Sequence, residues 1–266
     1  MCLILFAVNE HPDFPVVVAA NRDEFLKRPT APARRWSEGE GILAGRDLTA
    51  GGTWLGVSPA GRVAAVTNVR EPGAFVADAC SRGDLVTGLL EHDGAASDFH
   101  QDLQGASFNG FNLLSIEVGE AVHASNRGSA VLPKVTSVFS GVHGLSNASL
   151  DTPWPKVVDG RIRLAEAVKG LDPARIDWEP FLSLLREADP APDSRLPRTG
   201  VPVELERSLS PPFIRTKGYG TRCSTIVLLG RDGLCHFLER TFPTADGRAF
   251  EDRTFTMALK PIASQL

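Results

Sequence analysis

The chain has 266 residues, 42% of them hydrophobic and 23% charged, with 28 Lys and Arg against 32 Asp and Glu for a net charge of −4. That balance excludes a disordered or fibrous polymer and gives no electrostatic reason to expect nucleic acid or an anionic membrane surface as a partner. Apolar runs such as 16–20 and 226–229 fall far short of the roughly 20 residues that cross a bilayer, and no basic region with a longer apolar core opens the chain, so the sequence predicts a cytoplasmic protein without a membrane span, folded as one domain over 1–266.

Residues 2–8 form a continuous apolar run and 15–20 a second one rich in β-branched Val. His11, Pro12 and Asp13 between them carry turn chemistry, so the opening reads as a buried antiparallel hairpin. An irregular Pro- and Arg-rich segment at 28–40 precedes another hairpin, 51–58 with 62–67, turned by Pro59, Ala60 and Gly61. Ser81 and Asp84 make a capping pattern, and Leu85, Val86, Leu89 and Leu90 fall at helical spacing behind it. Strands are predicted at 109–118, 120–125 and 136–142. A helix opens at 151–155, where prolines are confined to the first turn, and runs through Ile162, Leu164, Ala165 and Val168. Asp177 caps a second helix over 178–187, and residues 188–212, rich in Pro, Ser, Arg and Asp, read as a long mobile loop. Three strands close the chain at 222–229, 234–242 and 253–259. Strands, helix, strands, helices, strands is the order of an α+β fold in which helices cover antiparallel sheets.

The four cysteines, Cys2, Cys80, Cys223 and Cys235, include no CxxC pair, which argues against a zinc site or a disulfide framework. The last three read as small buried hydrophobes. The six histidines show no metal-ligand spacing, so no metal site is expected. Trp36, Trp54, Trp154 and Trp178 read as core anchors or as walls of a ligand cleft.

Cys2 stands apart. A small second residue permits removal of the initiator Met, which would leave Cys2 with a thiol and a free α-amine. An amine of pKa about 7.7–8.0 accepts a proton from a thiol of about 8.5 near neutral pH, so nucleophile and base would share one residue. The alternative is a Cys that merely starts a buried strand. Asn21, Arg22, Asp23 and Glu24 follow the second strand and lie beside Cys2 if the first hairpin pairs in register. Isolated charges are costly to bury, so such a cluster is either solvent-facing or mutually paired.

Asn21-Arg22-Asp23-Glu24, preceded by Ala19-Ala20 and followed by Phe25 and Arg28-Pro29, resembles the signature of the NRDE, or transport and Golgi organisation 2, family. Supporting segments include Met1-Cys2, Gly51-Gly52-Thr53-Trp54-Leu55-Gly56, Asn109-Gly110-Phe111-Asn112, Gly144-Leu145-Ser146-Asn147 and Gly218-Tyr219-Gly220-Thr221-Arg222, and the resemblance covers essentially the whole chain. It implies an N-terminal-nucleophile hydrolase-like fold, a four-layer αββα sandwich. More distantly the chain is similar to the bile-salt hydrolase and penicillin V acylase group, which cleaves amides with an N-terminal Cys. That similarity implies Cys2 as nucleophile, Arg22 with Asp23 or Glu24 orienting it, Asn68 and Asn147 as active-site amides, and Arg222 as a second active-site Arg; beside these, Asn21 of the polar cluster and Trp54 are expected as ligand contacts. The family is also tied to haem mobilisation and to acyl-CoA and lipid metabolism. The resemblance therefore implies a carrier of haem or an acyl ligand that requires no cofactor, or else a Cys2-dependent amide or ester hydrolase.

Overall fold

The computed structural model describes residues 2–38, 41–101, 107–127 and 133–260, with the side chains of Cys2, His100 and Gln101 outside the described set. The chain opens with strands β1 (Cys2–Val8), β2 (Val16–Phe25), β3 (Thr30–Arg35), β4 (Leu43–Asp47), β5 (Leu55–Val57) and β6 (Val63–Asn68). Helices α1 (Arg82–Glu91) and α2 (Ala96–Gln101) follow, then β7 (Phe111–Glu117), β8 (Glu120–Ser125), β9 (Lys134–Ser137) and β10 (Gly141–Leu145). Helices α3 (Pro155–Lys169), α4 (Glu179–Leu185) and α5 (Val203–Ser208) lead to the closing strands β11 (Tyr219–Leu229), β12 (Leu234–Thr241) and β13 (Glu251–Ala258).

The strands form two antiparallel sheets, a six-stranded one ordered β10-β1-β2-β11-β12-β13 and a seven-stranded one ordered β3-β4-β5-β6-β7-β8-β9. The period-two alternation of a strand explains why β1 and β2 read as continuous apolar runs: both of their faces are covered. Ile4, Phe6, Val18 and Ala20 meet Leu43, Val57, Val63 and Leu114 of the other sheet, while Leu3, Leu5, Val17 and Ala19 meet Val157, Leu164, Phe181 and Leu185 of α3 and α4. On the far side, Ala64 and Val66 of β6 pack on Leu85, Val86, Leu89 and Leu90 of α1. Helices, sheet, sheet and helix are the four layers of the expected αββα sandwich. Each fully buried Leu, Val or Phe in these cores contributes roughly 1.5–3 kcal/mol.

The capping signals act in part: Ser81 is the N-cap of α1, whereas the N-cap position of α4 is Trp178 and Asp177 stands one residue before it. Ser81 accepts from the Gly83 amide at 3.2 Å at the start of α1, and Asp177 accepts from the Glu179 amide at 3.0 Å at the start of α4. No helix among the described residues is long and apolar enough to cross a membrane.

Four other expectations need correction. The irregular segment at 28–40 contains β3, whose composition hides it because Pro32 lies in a register irregularity between Ala31 and Arg34. The strand expected at 136–142 is two strands in different sheets, β9 and β10, separated at 138–140, just before Gly141 takes a φ of 142°. The loop at 188–212 contains a 3-10 turn, Asp193–Arg195, and α5, whose Glu206 is buried and paired with Arg70. Cys80 is exposed rather than buried, because it stands in an isolated bridge to Phe108 outside both sheets, while Cys223 and Cys235 are buried as expected.

Candidate functional site

Asn21, Arg22, Asp23 and Glu24 lie within β2 and not after it, since the strand runs on to Phe25. Alternation therefore sends them to opposite faces. Asn21 and Asp23 point at the helical layer. The Asn21 amide donates to Leu185 O at 2.8 Å and Pro212 O at 2.9 Å and its oxygen accepts from Ser224 Oγ at 2.6 Å, so its side chain joins β2 to the end of α4 and makes the fold. Its hydrogen-bonding groups are committed to these three partners, and Asn21 is not among the residues that line the cleft beside Arg22. Replacing Asn21 by Leu strands two buried carbonyls and a hydroxyl, and the unfolding free energy should fall by about 3 kcal/mol. Urea denaturation measures this; a loss below about 1 kcal/mol would mean that other donors reach those carbonyls.

Asp23 is also buried. Burial pushes its carboxyl above the ordinary value, against the Lys156 charge and a 2.6 Å hydrogen bond from Thr221 Oγ1, both of which favour ionisation. Lys156, itself buried on α3, donates to Leu209 O at 3.1 Å.

Arg22 faces the second sheet. In register it stands opposite Cys2 of β1 on one side and Cys223 of β11 on the other. The Cys2 side chain lies outside the described residues, so the nucleophile is placed by backbone register alone. The Arg22 guanidinium is 5% exposed, donates to Thr30 Oγ1 and to Asp47 Oδ2, both at 2.9 Å, and lies 4.2 Å from the centroid of the Trp54 ring. Trp54 fits there because residue 45 is Gly: a Cβ at that position would come within 2.3 Å of the indole.

Asp47 is the anchor of this cluster. Burial alone would raise its carboxyl, but the Arg28 hydrogen bond at 2.6 Å, the Ala50 and Thr49 amides and the Arg28 charge outweigh it and hold the group below its ordinary value. The same Asp47 hydrogen bond raises Arg28. Sequence reading missed Asp47, Thr30 and the Arg28 side chain. The available signal was the Asp47-Leu48-Thr49-Ala50-Gly51 segment, in which Asp47 Oδ1 accepts from the amides of Thr49 and Ala50, an Asx turn.

Arg22, Arg28, Trp54, Asn68 and Phe75 line a cleft of about 290 Å³, together with Asp23, Glu24 and the N-terminus of α1. Asn68, at the end of β6, makes no side-chain hydrogen bond among the described residues. Its own carbonyl accepts from Asn147 Nδ2 at 2.8 Å, so of the two expected amides Asn68 offers its side chain to the cleft and Asn147 supports it from behind. Glu24 lies 4.0 Å from Arg28 at the rim. Arg222 does not join the cleft. The register irregularity between Thr221 and Cys223 sets Arg222 apart in β11, and its guanidinium donates to Phe25 O at 2.9 Å and Arg28 O at 3.1 Å, strapping the turn between β2 and β3. Burial, with the nearby Arg22 charge, lowers it below the ordinary arginine value.

This end of the sandwich therefore presents the buried Arg22 and half-buried Arg28 guanidinium groups, one amide without a hydrogen bond among the described residues and an aromatic wall around the first residue of β1. Among solved structures, the chain is similar to the Caenorhabditis elegans N-acylethanolamine-hydrolyzing acid amidase ortholog, with a TM-score of 0.54 and 14% identity over 85% of this chain and 92% of that one. The likeness is one of fold, the N-terminal-nucleophile hydrolase sandwich. In sequence, the chain is 32% identical to the human transport and Golgi organization protein 2 homolog over 98% of this chain and 100% of that protein, and 29% identical to the Drosophila melanogaster protein of the same name over 92% and 94%. The family model for transport and Golgi organisation 2 matches residues 1–244, and the chain belongs to that family.

Proposed function

We propose that the cleft beside Arg22 holds a small amphiphilic molecule, an acyl compound or haem, and that the chain handles it as a carrier. The observation that supports this is the mixed lining, in which Trp54, Val66, Phe75 and Ala77 stand together with the Arg22 and Arg28 guanidinium groups and the Asn68 amide, with Asp23, Glu24 and Asp47 also present. Apolar surface with a few convergent polar groups is the usual make-up of a small-molecule site, and guanidinium groups match a carboxylate in charge and fork geometry. Titration with haem and with a long-chain acyl-CoA, read by the haem absorption band and by Trp fluorescence, should give saturation by one of them that survives added albumin. If neither saturates, carriage in this cleft is wrong.

The register of Cys2 opposite Arg22, together with the fold's likeness to the N-acylethanolamine-hydrolyzing acid amidase ortholog, favours a second reading, Cys2-dependent acyl hydrolysis. In that reaction the thiolate of Cys2 attacks the carbonyl carbon, its own α-amine takes the thiol proton, and the Asn68 amide stabilises the oxyanion without changing protonation state. The C–N or C–O bond breaks as the amine returns the proton to the leaving group, and water then cleaves the thioester. The mass of the N-terminal peptide of natively expressed protein, with Cys2 alkylation followed across pH, separates the two readings. Loss of Met1 and a thiol that reacts well below its ordinary pKa support hydrolysis, and Cys2→Ala should then abolish turnover while keeping ligand binding. Retained Met1 leaves carriage.

A further inference from the structure

A second cleft, of about 400 Å³, is lined by Asn147 where the first is lined by Asn68. Its buried lining side chains include the polar Asn112, Asn147 and Ser125, none more than 8% exposed, and one wall is the Arg70 guanidinium laid 4.7 Å from the ring centroid of the buried Trp154. Arg127 and Arg198 complete it. Its lining contains three arginines and no Asp or Glu. The carboxylates that answer two of these charges are not among the lining residues: Glu206 on α5 pairs with Arg70 at 2.5 Å while also accepting from the Thr199 amide, and Glu71 pairs with Arg127. Three guanidinium groups against two carboxylates leave one positive charge, and Arg198 makes no hydrogen bond or ion pair among the described residues.

A half-enclosed lining with three guanidinium groups, no carboxylate and an excess of positive charge is stabilised by an anion. The volume lies within the usual range of small-molecule sites, roughly 300–1,000 Å³, and so has room for more than a bare ion. We propose that this cleft is a second binding site, for a small molecule that presents a phosphate or carboxylate group to Arg198 and Arg127. Guanidinium forks match both groups. The site is independent of what the first cleft holds and of whether Cys2 reacts.

Calorimetric titration with inorganic phosphate, pyrophosphate and citrate, each against chloride at equal ionic strength, tests it. At least one should bind saturably with one site per chain. Phosphate or pyrophosphate binding without citrate assigns a phosphate group, and citrate alone a carboxylate. Arg198→Ala, an exposed position whose loss should leave thermal unfolding without anion unchanged, should weaken that binding about tenfold, the size of one charge-assisted hydrogen bond, with Arg198→Lys in between. Arg22→Met, in the first cleft, should leave the same binding constant unchanged. No binding beyond chloride, unchanged affinity in Arg198→Ala, or loss of affinity in Arg22→Met instead, overturns the proposal.

Discussion

Arg22→Met should destabilise the protein by about 3 kcal/mol and abolish ligand binding in the first cleft. Removing one partner of a buried ion pair costs about 3–5 kcal/mol because the other charge is left uncompensated; Asp47 keeps Arg28, which places the loss at the lower end. Thr30 loses its donor and Trp54 loses the cation over its ring, so the cleft loses the side chain that holds two of its walls in place. Arg22→Lys keeps the charge but has no planar fork with which to reach Thr30 and Asp47 together while lying on an indole. It should recover part of the stability and little of the binding. Denaturant unfolding read by Trp fluorescence, with ligand titration on the folded variants, separates the two losses. A methionine variant as stable as wild type would mean that Arg28 alone satisfies Asp47.

His123 should make the protein acid-sensitive by itself. It lies buried on β8, and its Nε2 is 3.1 Å from Asn112 Oδ1, while the Asn112 amide donates to Thr67 Oγ1 and Ala148 O. With both amide hydrogens spent, the Asn112 oxygen faces the ring, so the neutral tautomer with Nε2–H is the one that fits. Burial, first of all, lowers the imidazole from 6.5 to about 4, over the opposing Asp151 charge. In this interval the unfolded chain binds a proton that the folded one does not, so stability is complete above 6.5 and is lost as pH falls towards 4. That difference corresponds to about 3 kcal/mol. Wild type should therefore lose about 2–3 kcal/mol more than His123→Gln between pH 7 and pH 4.5 in urea unfolding. Equal losses would mean that the ring is reached by water. The His143–Asp151 pair, with His143 raised by its 2.8 Å hydrogen bond to Asp151, has the opposite sign: its histidine contribution is present below 6.5 and is lost as pH rises. It is common to both proteins and cancels in the comparison.

The parts of the fold legible in the sequence are those in which local pattern and tertiary burial agree. β1, β2 and the leucines of α1 declare themselves by period, and Ser81 caps α1 where its chemistry places it. β3 was hidden because proline and three arginines between 28 and 35 read as loop chemistry, although the Ala33 amide between them is held by the buried Glu239 carboxylate of β12 at 2.6 Å. The split between β9 and β10 falls at 138–140 and sends the two halves of one expected strand to different sheets, which is a matter of tertiary pairing. In the site, residue identities were legible but faces were not: had Asn21 and Asp23 followed the strand they would have shared a surface with Arg22, whereas inside it they serve the helical layer. The turn segment that follows Asp47 marks it as an Asx residue, but its pairing with Arg22 and Arg28 is tertiary and leaves no local pattern.

β3 also bears on how the molecule behaves in company. Among the described residues it is the outermost strand of the seven-stranded sheet, with β4 as its neighbour, and an outer strand with free backbone groups is a template on which another chain can add. Pro32 has no N–H to donate, the adjacent irregularity breaks the ladder between Ala31 and Arg34, and Arg34 and Arg35 would meet their own like charges in a second copy laid antiparallel. The strand that sequence reading passes over as loop is thereby one whose composition opposes sheet-to-sheet growth.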